Sequence, residues 1–384
     1  GHLIDFKFMR GLMRSTARLT YNEVQKALDQ EPTVYEADFV KHIIHPLYEA
    51  YGVLRQARTT RGALDIERPE QRIYLDSHQQ VHRIADRPRY KSHEIVEEMM
   101  ILANVAAGLF LTQHAKPSLF RIHDEPDAEK VNDLRDYLKS FKFNLQGSPK
   151  PSAFNSIMEK SKNTPYAHAI QELILRTQAR AVYSPDNIGH YGLGLPHYAH
   201  FTSPIRRYSD IIVHRAILNS LDEKNIYSYD KKILEDMGDH VSFTERQAAK
   251  AERDTIERYI TLYLKDKINH TFECRITGVV SFGLFVELLT YGIQGFIPFK
   301  NLQPLDYYRY DRKNHALVGR RQGQIFTLGN IIQARLKEAD IISSSLTLNM
   351  DSSHSQSVKK SPKRDLARNL EKKSLKKRVK RKSS

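Results

Sequence analysis

The chain has a single cysteine, Cys274, in 384 residues, which rules out an intramolecular disulfide. No apolar leader opens the N-terminus, so the sequence reads as a reduced, cytoplasmic protein rather than a secreted one. Long apolar runs are also scarce. The longest, Met99 to Leu111, falls short of a bilayer and begins beside Glu97 and Glu98, so no membrane partner is expected. There is no internal repeat. Gly192-Leu-Gly194 has neither a following G-x-x-G nor a Walker lysine, which leaves it an ordinary loop.

What the chain does have is positive charge, unevenly placed. The formal net charge is +15, and residues 351–384 alone contribute +10, from thirteen Lys/Arg against Asp351, Asp365 and Glu371. A basic tail favours polyanions through counterion release; its alternative is a solvated solubility tail. With few large apolar residues after Met350, this tail is expected to be disordered when unbound.

Two ordered regions precede it. Residues 1–268 carry mixed α/β signals. Ile95, Met99, Leu102, Ala106 and Leu109 recur at helical spacing between His93 and Phe110. Thr164-Pro165 predicts a helix start that continues through YAHAIQELILRTQARAVY to Ser184-Pro185. Ser242-x-x-Glu245 reads as a capping box opening a helix to about Lys267. From Asn269 the period becomes two. Phe272, Cys274 and Ile276 alternate, then FGLFVEL, GFIPF, IFTL and IIQARL follow between glycines, which predicts a small closed β-barrel over 269–350. Cys274 belongs in its interior.

The densest chemistry lies in HYAHFTSPIRRYSDIIVHRAI, residues 197–217. Within it, Thr202 to Tyr208 bring together two hydroxyls, two guanidiniums and an aromatic ring. Guanidinium matches phosphate oxygens with paired hydrogen bonds, hydroxyls add donors, and tyrosine can stack on a base or sugar. Pro204 predicts a bend into a helix carrying Ile211, Ile212 and Ala216, whose N-terminus also favours anions. Arg206, Arg207, Ser203 and Tyr208 are therefore candidate phosphate and RNA contacts. The competing reading is that Arg206 or Arg207 simply pairs with Asp210.

This run resembles the signature of the RNB-domain exoribonucleases of the ribonuclease R and ribonuclease II type. The likeness extends upstream through FMRGLMRSTARLTYNEVQ, RGALDIERP, IVEEMMILAN, LFRIHDEP and AVYSPDNIGHYGLGL, and covers nearly all of residues 7–350. AVYSPDNIGH and DYYRYD look like the ribonuclease R versions. The resemblance implies 3′-to-5′ hydrolysis of single-stranded RNA ends to nucleoside 5′-monophosphates by two-metal chemistry with Mg²⁺ or Mn²⁺, an arginine stabilising phosphate charge. It implies Arg206 as that arginine, Tyr21 near the terminal nucleotides and Glu98 at the ribose 2′-hydroxyl, the group that distinguishes RNA from DNA. Glu252 aligns with an RNA-proximal glutamate. Without the resemblance, Tyr21 reads as a core aromatic and Glu98 as a helix-start charge.

The family's metal-binding aspartates are expected in a DxxxxxDxDDA-like run upstream of the segment that opens this chain. No D-x-D occurs in it, and Asp124, Glu125 and Asp127 form only a loose acidic turn. The start at Gly1 and the strand-like LIDFKF suggest a fragment whose N-terminal catalytic part is missing or separate. Such a chain is expected to bind RNA better than it cuts it, the metal ligands lying mostly outside it. The alternatives are an RNA-binding protein without catalysis and a general binder driven by the tail. His42/His45 and His197/His200 have metal-capable helical spacing but lack the zincin glutamate and a third ligand.

Residues 270–350 resemble the OB-fold RNA-binding domain repeated in the largest small-subunit ribosomal protein. Gly278, Phe282, Gly283 and Phe285 match its first hairpin, which makes Phe282 and Phe285 the candidate base stackers, with core packing the alternative. Pro298 replaces a common histidine, and Ile66 stands where better-known relatives carry a clamping aromatic.

Overall fold

The computed structural model describes residues 1, 3–66, 70–147, 149–164, 166–222, 227–302, 307–311, 316–320 and 324–351. Pro165 and the tail beyond Asp351 lie outside them. Two compact units form, one from Gly1–Tyr74 and His82–Ile256, the other from Leu75–Val81 and Glu257–Ser384.

The first unit is built on helices. After a stretch without regular structure come α1 (Tyr21–Leu28), the short α2 (Ala37–Phe39) with its π-helical continuation Val40–Ile44, and α3 (His45–Thr60). A hairpin, β1 (Gln71–Leu75) and β2 (Val81–Asp86), leads to α4 (Lys91–Gln113). Then follow β3 (Phe120–Ile122), α5 (Ala128–Ser140), α6 (Pro151–Ser161), α7 (Ala167–Thr177), β4 (Val182–Ser184), α8 (Tyr208–Asp222) and α9 (Lys231–Lys265). β3 and β4 pair antiparallel, Phe120 opposite Ser184.

α4 is the organising helix. Its stripe packs Ala107, Phe110 and Leu111 against Phe120, Ala199, Val213, Ala216 and Ile217. At 23 residues it is long and apolar enough to cross a bilayer, although the apolar run inside it is shorter. Half of that apolar window is buried inside the unit, with Ala107 and Leu111 at 0% and 1% exposure.

The structure departs locally from the pattern of the sequence in four places. LIDFKF is not a strand; Phe6 and Phe8 act as anchors, Phe8 lying edge-on to both Phe110 and Phe201. The helix expected to run to Ser184 ends at Thr177, because Gln178 turns extended and Val182–Ser184 gain a ladder with β3. Ser242 is not a cap. α9 starts well before it, at Lys231, where the Asp230 carboxylate accepts from Ile233 N at 2.7 Å. Inside α9, Ser242 Oγ donates to Gly238 O and accepts from Tyr183 N, while Glu245 takes two hydrogen bonds from Arg121. Finally, His197 and His200 lie on no helix.

The second unit contains five long strands, β5 (Thr271–Val280), β6 (Gly283–Leu288), β7 (Ile293–Pro298), β11 (Ile331–Asp340) and β12 (Ser345–Met350), separated by the shorter β8 (Tyr308–Asp311), β9 (Ala316–Gly319) and β10 (Ile325–Thr327). The long strands close into a barrel in the order β11-β12-β7-β6-β5, and the short ones form a separate sheet. Alternation decides the interior: Leu284, Val286 and Leu288 are fully buried while Phe285 faces out. Cys274 is buried among them, and burial pushes its thiol up to about 12.

Candidate nucleic-acid interface

The segment from His197 to Thr202 is chain without regular secondary structure strapped onto α4, and a buried asparagine fastens it. Asn104 O accepts from Ala199 N at 3.2 Å, and its side-chain carbonyl accepts from Phe201 N at 2.9 Å. Its amide donates to the Tyr198 hydroxyl at 3.1 Å. Gly108 lets the strap approach closely, since a Cβ there would lie 2.8 Å from Tyr198 N. Phe201 is held from the other side, stacked on His214 with centroids 4.2 Å apart.

Beyond the strap the chain turns at Ser203, whose carbonyl accepts from both Arg206 N and Arg207 N. Asp210, wholly buried on the first turn of α8, closes the turn. It accepts from Ser203 N at 2.7 Å, Arg207 Nη2 at 2.8 Å and Ser209 Oγ at 3.1 Å. The two arginines therefore separate. Arg207 is turned inward onto Asp210, as the competing sequence reading allowed for one of them. Arg206 is exposed, and among the described residues its guanidinium has no partner. Tyr208, half exposed, opens α8 and lines a cleft of about 290 Å³ with Ile233, Met237, His240 and Val241.

A second group gathers at the N-terminal half of α4. Ser92 Oγ donates to Tyr21 O, and Ser92 N donates to the Gln25 side chain, docking α1 on α4. Tyr21 is 44% exposed with its ring 4.2 Å from His93, so it is not a core aromatic. Glu98 is 4% exposed and sits about two turns into α4, beyond a simple helix-start position. Arg58 of α3 donates to Glu98 Oε1 at 2.8 Å and to Glu97 Oε1 at 2.9 Å. Burial lowers the Arg58 pKa, but the two carboxylates outweigh it and hold the guanidinium above its ordinary value. Glu252 is exposed on α9 between the ion-paired Lys250 and Asp254. Ile66 packs against the core of α5, α6 and α7.

Nothing in the local sequence marks Arg58, whose carboxylate partners lie on a different helix. Asn104 does carry a signal, as the one amide within the apolar run from Met99 to Leu111. A group of histidines withdrawn from solvent has none. His190 lies 5.0 Å from His123, and His200 shares a 2.9 Å hydrogen bond with the Tyr183 hydroxyl. Burial first, then neighbouring positive charge, brings His190 down to about 3 and His200 to about 2.

In the barrel unit, Phe282 is 61% and Phe285 36% exposed. Both lean on Phe296, at 5.7 and 5.0 Å, giving a continuous aromatic surface rather than a core. Gly283 lies beneath Phe296, where a side chain would collide with the ring.

Among the described residues no group of three or more His, Cys, Asp or Glu could hold a metal ion. The carboxylates near the strap are already engaged, Glu98 and Glu97 by Arg58 and Asp210 by Arg207. Asp127 caps α5. His42 lies against Asp38, and His197 contacts Thr112 and Asn187 while His200 turns to Tyr183. These residues do not fit a Mg²⁺ or Mn²⁺ site, which needs convergent oxygen ligands.

The RNB domain matches residues 1–223, well over half of the chain. The chain belongs to the RNB-domain family. An S1 RNA binding domain matches residues 265–321 of this RNB protein. Ribonuclease R of Escherichia coli is 35% identical over 355 residues, 89% of this chain and 43% of that protein. Ribonuclease R of Aquifex aeolicus is 38% identical over 347 residues, 88% of this chain and 49% of that protein. The chain thus spans less than half the length of these relatives. Among solved structures, Mycoplasma genitalium RNase R in complex with ribose methylated single-stranded RNA superposes with a TM-score of 0.79 at 26% identity, covering 86% of this chain and 53% of that one.

Proposed function

We propose that this RNB chain supplies the RNA-gripping half of a 3′-to-5′ exoribonuclease centre, releasing nucleoside 5′-monophosphates when carboxylates from another segment complete it. The observation that carries this reading is the division of labour at Asp210, which occupies Arg207 and leaves Arg206 free for phosphate. A guanidinium fixed at its backbone gives charge-assisted, paired hydrogen bonds to a phosphodiester oxygen. Tyr21 and Tyr208 offer half-exposed rings to bases or sugars, Ser203 a hydroxyl, and Glu98 an acceptor for a ribose hydroxyl. Glu252 lies near the RNA path in this reading, and Phe282 and Phe285 of the barrel stack bases. The relatives' name and the RNA in the Mycoplasma structure support the substrate class.

Mg²⁺ or Mn²⁺ is the expected metal of the completed centre, with ligands this chain's described residues do not provide. The purified chain should therefore bind single-stranded RNA without trimming it. The test is incubation of 5′-labelled and 3′-labelled RNA with the chain and Mg²⁺, beside binding titrations. Robust Mg²⁺-dependent shortening from the 3′ end by the chain alone overturns the division proposed. Arg206→Ala should weaken binding by roughly tenfold or more, the value of a charged hydrogen bond. If deletion of residues 352–384 abolishes binding and Arg206→Ala leaves it unchanged, the protein is a tail-driven polyanion binder instead.

A further inference from the structure

Resting on the reading of Glu98 as ribose acceptor, we infer that Arg58 is the positioning residue that gives the site its preference for RNA over DNA. A carboxylate at 4% exposure is held in place by its partners, and the partner of Glu98 is the Arg58 guanidinium at 2.8 Å. Arg58 is itself only 11% exposed on its side chain and reaches across from α3, so both ends of the contact sit on rigid helices. The geometry also uses one carboxylate oxygen and leaves the other. Oε1 accepts from Arg58, while Oε2 has no hydrogen-bond partner among the described residues. That free oxygen is what a hydroxyl donor requires.

Arg58 does three things at once. Its Nη1 bridges Glu98 and the more exposed Glu97, fixing the rotation of both carboxylates. Its guanidinium engages Oε1 of the buried Glu98 and leaves Oε2 as the acceptor. It also sits near Arg61, whose Nε is fixed on Leu193 O, on the loop before the strap that presents Arg206. A deoxyribose would leave Oε2 without a donor in a partly desolvated place, and a site built to bond a hydroxyl discriminates strongly against the analogue lacking it.

The test compares binding of an all-RNA strand and the DNA strand of the same sequence to the full chain, at salt high enough to mute the tail. For Arg58→Met, RNA affinity should fall to near the DNA value, a loss of roughly tenfold, with DNA affinity unchanged. Arg58→Lys, which keeps the charge but not the planar guanidinium, should recover part of the preference. Combining Arg58→Met with Glu98→Gln should cost little beyond Glu98→Gln alone. If Glu98→Gln removes the preference and Arg58→Met retains it, the inference is wrong and the reading of Glu98 stands. If Glu98→Gln keeps the full preference, the ribose reading itself fails. An equal loss of RNA and DNA binding in both Arg58→Met and Arg58→Lys means a merely structural arginine, which also overturns the inference.

Discussion

Arg206 and Arg207 are neighbours in sequence with opposite surroundings, and a single carboxylate makes the difference. Asp210 is fully buried and accepts three hydrogen bonds, one from Ser203 N, one from Ser209 Oγ and one from Arg207. Removing it strands a largely buried guanidinium and a backbone amide. Asp210→Ala should therefore destabilise the RNB unit by about 3–5 kcal/mol, read by denaturant unfolding. Arg206→Ala removes an exposed side chain with no partner among the described residues, so the same measurement should move by less than about 0.5 kcal/mol. A large stability loss in Arg206→Ala would show that Arg206 also serves the fold. The same contrast separates Glu98, withdrawn and paired, from Glu252, exposed on α9.

Among the elements, α4 joins the fold to the site. One face carries the core, its N-terminal half carries Glu98 against Arg58, and Asn104 fastens the strap. The crossing depends on Gly108. Alanine there gains about 1 kcal/mol in helix propensity, yet its Cβ would stand 2.8 Å from Tyr198 N and 3.1 Å from His197 C, atoms of backbone that cannot rotate away. Gly108→Ala should be destabilising by about 1–3 kcal/mol and should weaken RNA binding through displacement of the strap. A more stable protein with unchanged binding would refute the need for close approach. α7 and β4 illustrate the limit of periodicity. The apolar pattern across 166–183 fits one helix, but the pairing of Val182 with Ile122 ends it early.

Over the molecule as a whole, histidines withdrawn from solvent couple stability to pH. His123, His190 and His200 all have folded pKa values below the ordinary 6.5, His190 about 3 and His200 about 2, with burial the leading cause. His123 is fixed as the neutral form, donating from Nε2 to Ala179 O and accepting at Nδ1 from Gly192 N. The unfolded chain takes up protons as pH drops through about 6.5, whereas the folded chain resists until near the depressed values, so acid favours unfolding. Stability should thus be fully present above the ordinary histidine range and decline below it. Each histidine contributes at most about 1.4 kcal/mol per pH unit. Thermal unfolding midpoints from about pH 8, above the ordinary histidine value, down to about pH 4, still above the depressed ones, check this. Replacing His200 with Gln should flatten the profile, and a profile flat through the histidine range would contradict the coupling.

The amino-acid sequence alone is enough for the chemistry of residues 197–217, the long α4, the change to period two near Asn269, and through these the RNB family and the barrel. Those features are local: they depend on residue type and on spacing along one segment. Three-dimensional packing was needed to settle which arginine is free, that Glu98 is paired with Arg58, that Ser242 ties α9 to β4, and that His190 and His200 are drawn away from water. The choice between the arginines turns on the geometry of one local turn, which residue order leaves open; the others depend on partners brought together from distant positions, and an ion pair between α3 and α4 leaves no trace in the periodicity of either helix. The exposed aromatics of the barrel fall between: alternation places Phe285 outward, but it takes the fold to set it on one surface with Phe282 and Phe296.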